Sequence, residues 1–244
     1  MTYLVISDIH ANLEALEATL QHAGSHDAIL VLGDLVGYGA DPNAVIERVR
    51  DLQATTIIRG NHDKVGAGVD SVDAFNHLAR HAIGWTASVL TAPNREWLAA
   101  LPAGPVNIDS QVQICHGSPF DEDAYIFDEL DARRAFSAAE RTLCLFGHTH
   151  VPAIYKFDSD LRFLGPPRGS QLRVEFDGNA QYLVNCGAVG QPRDGDARAA
   201  YGVLDTDART LAMVRVPYDL PAAQAKIVAA GLPEVLAHRL GVGR

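Results

Sequence analysis

The chain has 244 residues, 48% of them hydrophobic, and a chain of this length buries about 70–75% of its unfolded surface, enough to fold without disulfides or a structural metal. Twenty lysines and arginines against 30 aspartates and glutamates give a net charge of −10, which disfavours a grip on long nucleic acid or an anionic membrane. Met1 to Asp8 has no basic signal region, no apolar span of roughly 18 residues follows, and three scattered cysteines form no C-x-x-C pair, so a cytoplasmic chain with reduced thiols is expected.

Residues 3–7 and 28–32 are short apolar runs with β-branched content, the pattern of strands covered on both faces. Between them Leu13, Leu16, Thr19 and Leu20 recur at helical spacing behind Asn12, a side chain suited to an N-cap. Pro42 fits a first helical turn, Val45, Ile46, Val49 and Leu52 give that helix an inner face, and 55–59 reads as a third strand. This β-α-β-α-β opening predicts right-handed crossovers. Residues 71–101 read as helix, broken at Pro93 and ended by Pro102. Then 106–108 and 112–115 read as a hairpin, 129–140 as a helix and 142–146 as another buried strand. Strands are expected at 153–157, 171–176, 181–185, 201–205 and 211–216, between turn residues. The stretch 158–170, with Gly165-Pro166-Pro167, reads as a loop, and 221–240 as one or two closing helices. With no repeat and no linker, the expected architecture is α/β: one domain over 1–244, two stacked mixed β-sheets flanked by helices.

Five polar clusters each follow an apolar run: Asp8-Ile9-His10, Gly33-Asp34, Gly60-Asn61-His62-Asp63, His116-Gly117 and Gly147-His148-Thr149-His150. Open α/β sheets form their sites at the carboxyl ends of strands, so segments this far apart in sequence can converge. They hold five of the ten histidines and no cysteine. Oxygen and imidazole donors without thiolate suit Mn²⁺, Fe²⁺, Zn²⁺ or Ni²⁺ at an open catalytic site. Asp8, His10, Asp34, Asn61, His116, His148 and His150 are too many ligands for one ion and enough for two divalent ions bridged by a carboxylate.

In this order, D-x-H, G-D, G-N-H-D, H-G and G-H-T-H resemble the calcineurin-like metallophosphoesterases. The run from Asn185 to Asp196 extends the resemblance toward their small bacterial and archaeal phosphodiesterase branch, which more often has Pro-Gly-Ser where this chain has Cys186-Gly187-Ala188. The resemblance implies a four-layer α-β-β-α fold and two divalent metal ions, Mn²⁺ foremost. It places Asp8, His10 and His150 on one ion and Asn61, His116 and His148 on the other, with Asp34 as the bridge. His62 would serve the leaving-group oxygen and phosphate, oriented by Asp63, while a bridging hydroxide attacks phosphorus in line. The implied enzyme is a hydrolase of a small phosphodiester or a dinucleoside polyphosphate such as diadenosine tetraphosphate. Phosphomonoesterases, protein phosphatases included, share that core. A non-catalytic scaffold of the same fold, as in a retromer subunit without the G-N-H-D histidine, is countered here by His62.

Two further residues are candidate substrate contacts. Tyr38, in a Gly-rich loop after Asp34, either stacks on a base at the pocket mouth or belongs to a plain turn into a helix. Arg193 either holds phosphate bidentately or pairs with a neighbouring aspartate. Asp121, Glu122 and Asp123 read as a solvated acidic loop. His22, His26, His77, His81 and His238 read as ordinary packing or surface residues, and Cys115 should point into the core.

Overall fold

The computed structural model describes residues 1–53, 55–165 and 171–244. The chain opens with β1 (Thr2–Ile6), α1 (Leu13–His22), β2 (Ala28–Val31), α2 (Pro42–Arg50) and β3 (Thr55–Ile57). Helices α3 (Asn61–Gly66), α4 (His77–Val89) and α5 (Ala92–Ala99) come next, then β4 (Val106–Asn107), β5 (Val112–Ile114), α6 (Glu129–Ala138) and β6 (Leu143–Phe146). The remainder is β7 (Ala153–Phe157), β8 (Leu161–Phe163), β9 (Gln171–Glu175), β10 (Gln181–Asn185), β11 (Ala199–Asp205), β12 (Thr210–Val216), α7 (Leu220–Ala229) and α8 (Glu234–Val242).

The strands form two six-stranded mixed sheets, ordered β3-β2-β1-β11-β12-β9 and β4-β5-β6-β10-β7-β8. Within the first, β1, β2 and β3 are parallel; within the second, β5, β6 and β10 are. Alternation along β1 shows how the layers are sealed. Tyr3 and Val5 face inward and pack with Leu30, Ile114, Leu145, Val184 and Met213 between the sheets. Leu4 and Ile6 face outward under Leu16, Val45, Ile46 and Ile83 of the helices. On the far side, Ala132, Ala135 and Phe136 of α6 cover Cys144, Phe146 and Leu183. Each fully buried aliphatic chain stabilises these layers by roughly 1.5–3 kcal/mol. The result is the expected helix–sheet–sheet–helix stack, and among the described residues no helix is long and apolar enough to cross a membrane.

Several boundaries move for local reasons. The 71–101 helix begins only at His77, because Asn76 accepts from Ala79 N (3.0 Å) and caps it there. Helix α3 was not expected, since six residues show no readable periodicity. Strand β8 arises inside 158–170 and pairs with β7, Tyr155 opposite Phe163, once Asp158 turns the chain by accepting from Ser159 and Asp160 N–H. The Pro166-Pro167 part of that stretch lies outside the described residues.

Candidate metal centre

Loops leaving the carboxyl ends of β1, β2, β3, β5, β6 and β10 meet at one edge of the sandwich. Asp8 N bonds Gly33 O (3.0 Å), His10 N bonds Asp34 O (2.9 Å), and Gly190 N bonds Asp8 O (2.9 Å), so the loops are zipped to one another. Their backbone is strained. Asp8, His10, Ala11, Asp34, Tyr38, His148 and His150 all have φ between 48° and 65°, and Arg209 is the only other non-glycine described residue with positive φ. Each such residue costs on the order of 1–3 kcal/mol and persists only where its surroundings over-determine it. Glycine permits the closest approaches: a Cβ at Gly60 would strike Asp34 Oδ1, and one at Gly147 would strike Ser7 Oγ.

All seven expected ligands arrive here, six of them buried and Asn61 half-buried. Donor atoms of Asp8, His10, Asp34 and His150 lie within 4.8 Å of one another, and so do those of Asp34, His116 and His148, with Asp34 common to both groups. Asn61 Oδ1 stands 3.3 Å from His116 Nε2. The imidazole tautomers follow from their outer partners, which are carbonyls and can only accept. Nδ1–H of His10 donates to Val36 O (2.9 Å), of His116 to Leu32 O (2.8 Å) and of His150 to Gln191 O (2.6 Å). His148 is reversed, its Nε2–H donating to Asp123 O (3.0 Å). The inward nitrogens therefore carry lone pairs, yet His10 and His150 bring theirs to 3.1 Å, and His116 and His148 do the same. Asp34 Oδ2 lies 3.5 Å from His10 Nε2 and 3.4 Å from His116 Nε2 but has no hydrogen-bond partner. Two knots of facing electron pairs around an orphaned buried carboxylate oxygen fit two cations and little else.

The electrostatics agree. Burial pushes the imidazoles of His10 to about 4 and of His62 and His148 to about 3, and that of His150 well below its ordinary value, which keeps them neutral. His116 is the exception: burial opposes its charge, but Asp34 and then Asp8 outweigh burial and push it up to about 10, so with no cation to face, its inward nitrogen takes a proton in place of one. The pocket's own carboxylates thus call for positive charge at its centre.

The remaining sequence-predicted residues are placed as follows. His62 is buried, its ring packed against His10, Tyr38 and Phe75 at 4.6–4.8 Å between centroids, and its Nδ1 has no partner. Asp63 makes no hydrogen bond to that ring, contrary to the expected direct orientation. Its carboxylate is taken up by three backbone donors, Leu35 N (2.8 Å), Val36 N (3.2 Å) and Gly60 N (2.9 Å), and so fixes the turns on either side of His62. Tyr38 lines the cleft that holds Asn61, His62 and His148, but it is 6% exposed, beneath Arg193 and Arg239 and beside two histidines, so little of its ring is open there. Arg193 does not pair with a neighbouring aspartate: Asp194 binds Arg215 and Asp196 binds Arg198. Its guanidinium reaches Tyr38 Oη (3.4 Å), and its buried Nε has no partner.

Three features were not legible beforehand. The acidic run is exposed at Asp121 and Asp123, as expected, but it is also tied down: Lys64, 6% exposed, binds Glu122 (3.2 Å), Asp123 (2.5 Å) and Asp70 (3.2 Å), while Arg59 grips Glu122 through two nitrogens. Asn185 donates to Gly147 O (2.7 Å) and Thr149 Oγ1 (3.0 Å) and accepts from Gly187 N (2.7 Å), bracing the G-H-T-H turn. An amide closing the apolar run Tyr182-Leu183-Val184 was its signal in the sequence. Tyr125 stacks on His148, 3.9 Å between centroids. Asn12, by contrast, is the N-cap it reads as, accepting from Ala15 N at 3.1 Å.

Residues 1–209 match the calcineurin-like phosphoesterase superfamily domain. The chain belongs to this superfamily. An uncharacterized protein of Methanocaldococcus jannaschii is 38% identical over 247 residues, spanning 98% of this chain and 97% of its own. The crystal structure of a metallophosphoesterase from Sphaerobacter thermophilus, 40% identical, superposes with a TM-score of 0.87 over 100% of this chain and 99% of its own. A hypothetical protein of Pyrococcus horikoshii OT3, 20% identical, has the same fold, with a TM-score of 0.79 over 100% of this chain and 98% of its own. As a calcineurin-like phosphoesterase, the chain is a hydrolase dependent on divalent metal, and the clustered Asp and His side chains are its candidate metal-binding residues.

Proposed function

We propose that the protein is a cytoplasmic dinuclear phosphodiesterase acting on a small phosphodiester or a dinucleoside polyphosphate, with 1–244 working as one catalytic domain. The observation that carries this reading is Asp34 Oδ2, orphaned and buried between His10 Nε2 and His116 Nε2. Asp8, His10 and His150 would hold one divalent ion, Mn²⁺ by preference, Asn61, His116 and His148 would hold the other, and Asp34 would serve both. Bound there, the ions would supply Lewis acidity toward water and the phosphoryl oxygens in an in-line displacement. The chain's own groups do the rest. The His62 imidazole, unpartnered at Nδ1 and fixed by its aromatic neighbours, is neutral in the free pocket; the negative charge of a bound phosphoester favours its protonated form, from which the proton passes to the leaving oxygen. Asp63 positions it through the backbone of Gly60, Leu35 and Val36. Arg193, without a carboxylate partner, supports the phosphate's negative charge.

The test is a substrate panel on Mn²⁺-loaded protein: bis(p-nitrophenyl) phosphate, p-nitrophenyl phosphate and diadenosine tetraphosphate. The diester or the dinucleotide is expected to turn over best, and His62→Ala to lower kcat about 10²–10⁴-fold while metal content is kept. A monoester preference would make the protein a phosphatase, and an unchanged kcat would remove His62 from proton transfer.

A further inference from the structure

Two arginines stand together beside the metal cluster without a counter-charge. Arg193 is anchored there: its backbone N bonds His150 O (3.2 Å), and after burial its charge is among the causes that keep His10, His62 and His150 neutral. Arg239 arrives on α8, past residue 209, where the match to the superfamily domain ends. Leu236 and Leu240, one turn apart, seat that helix in the apolar cluster that contains Tyr38. Gly243 ends the helix in the left-handed region (φ 63°), and Gly195 N bonds Gly243 O (2.9 Å), which zips the helix end to the loop that carries Arg193. Both guanidinium groups are thereby held over the one Tyr38 ring, at 5.7 Å for Arg193 and 5.9 Å for Arg239 from its centroid.

Like charges so placed repel, and burial, then the Arg193 charge, push Arg239 below its ordinary value. Neighbouring carboxylates bring no relief: Asp194 and Asp196 are taken by Arg215 and Arg198, and Glu14 and Asp41 by Lys226. Among the described residues, no carboxylate side chain pairs with either guanidinium. Arg239 gives Nε–H to Arg244 O (2.7 Å), which leaves its two Nη groups, and Arg193 leaves its buried Nε. Both side chains are half-buried rather than sealed. In a chain with 30 acidic residues against 20 basic ones, two adjacent cations left unpaired call for an anion from outside.

We infer that Arg239, with Arg193, forms a second anion subsite, for a phosphate linked to the one held at the metal cluster. This rests on the proposed function and favours, within it, substrates with linked phosphates over simple diesters. A phosphodiester brings one negative charge, which the ions and Arg193 already outweigh, so Arg239 serves a further anionic group. The order of the parts supports this: Tyr38 packs on His10 and His62 at 4.8 and 4.6 Å, and both guanidinium groups lie on the same ring, so positive charge continues outward from the cluster. Guanidinium suits the task, because its planar fork rests on an aromatic ring while its remaining donors match the oxygens of a phosphate. The buried Tyr38 ring thus acts as the platform for both arginines.

The experiment titrates methylphosphonate and methylenediphosphonate, separately, into Mn²⁺-loaded protein by calorimetry. Both have P–C bonds that a phosphoesterase leaves intact, and free Mn²⁺ is held equal, so any metal drawn off by the diphosphonate is the same for every variant. The native protein is expected to prefer the diphosphonate. Arg239→Gln should cut that preference about tenfold, the low end for a charge-assisted hydrogen bond because Arg239 is half-buried. Arg239→Lys, which keeps the charge, should restore much of it, which separates charge from packing on Tyr38. A native protein without preference, a preference that survives Arg239→Gln, or a variant that loses both probes equally would each overturn the subsite. Turnover of bis(p-nitrophenyl) phosphate by the native protein is measured alongside. Turnover without preference defeats the subsite alone, and an Arg239-dependent preference without turnover defeats the hydrolase reading alone.

Discussion

Asp34 accepts from His62 N (2.9 Å) with one oxygen and turns the other toward two imidazole nitrogens that belong to separate ligand groups. An amide at this position keeps the size but removes the negative charge and leaves a single, neutral acceptor oxygen. Asp34→Asn is therefore expected to weaken both metal sites together, and elemental analysis that finds one ion lost and the other kept would deny the bridge. Chemistry at the cysteines separates packing from function in the same way. Burial pushes the Cys186 thiol up to about 12 and that of Cys115 well above its ordinary value, so neither forms a thiolate at moderate pH, and Cys144 is buried out of reach of reagent as well. Alkylation at pH 8 should label none of the three until the protein unfolds; fast labelling of Cys115 would show that the strand carrying His116 opens locally.

Lys64 shows what an element adds beyond its ligands. It sits in α3 directly after the G-N-H-D motif and ties down the 121–123 loop, whose Asp123 carbonyl sets the tautomer of His148. Lys64→Met leaves three carboxylates facing one another at a half-buried place. The expected cost is about 2 kcal/mol in urea unfolding, between the ~1 kcal/mol of an exposed pair and the 3–5 kcal/mol of a buried one. A two-step metal titration should show the site that includes His148 weakened more than the other, and equal weakening of both would break the link. This network also marks where the sequence stops being readable. Strands β1, β2 and β6 were legible because continuous apolar runs end at sharp polar clusters, and the ligands were legible because those clusters repeat five times. The ion pairs of the acidic run were not legible because its partners, Arg59 and Lys64, lie far off in the chain, and nothing local distinguishes a paired carboxylate from a free one. Tyr38 and Tyr125 were indistinguishable for the same reason: each is a tyrosine beside a motif, both line the space next to the metal cluster, and only packing leaves one buried and the other 41% exposed.

At the scale of the molecule, the centre spans both sheets. Asp8, His10, Asp34 and Asn61 follow strands of the first sheet, and His116, His148 and His150 follow strands of the second. Each ligand group draws from both, so metal binding adds a cross-link at the edge where the strained loops meet, on top of the apolar layer between the sheets. A ligand that binds only the folded chain stabilises it by about 2.7 kcal/mol at 100 times its Kd. For a domain of about this size, 1 kcal/mol raises Tm by roughly 2–4 °C. Each Mn²⁺ at that excess should then raise Tm by roughly 5–10 °C, and chelation should return the protein to its lower Tm without unfolding it at room temperature, since the apolar layer does not need the metal. Differential scanning calorimetry of native protein and of Asp34→Asn, with and without Mn²⁺, separates the contributions. A Tm shift that survives in Asp34→Asn would place the stabilising ions elsewhere on this acidic surface, and unfolding on chelation alone would make the metals structural as well as catalytic.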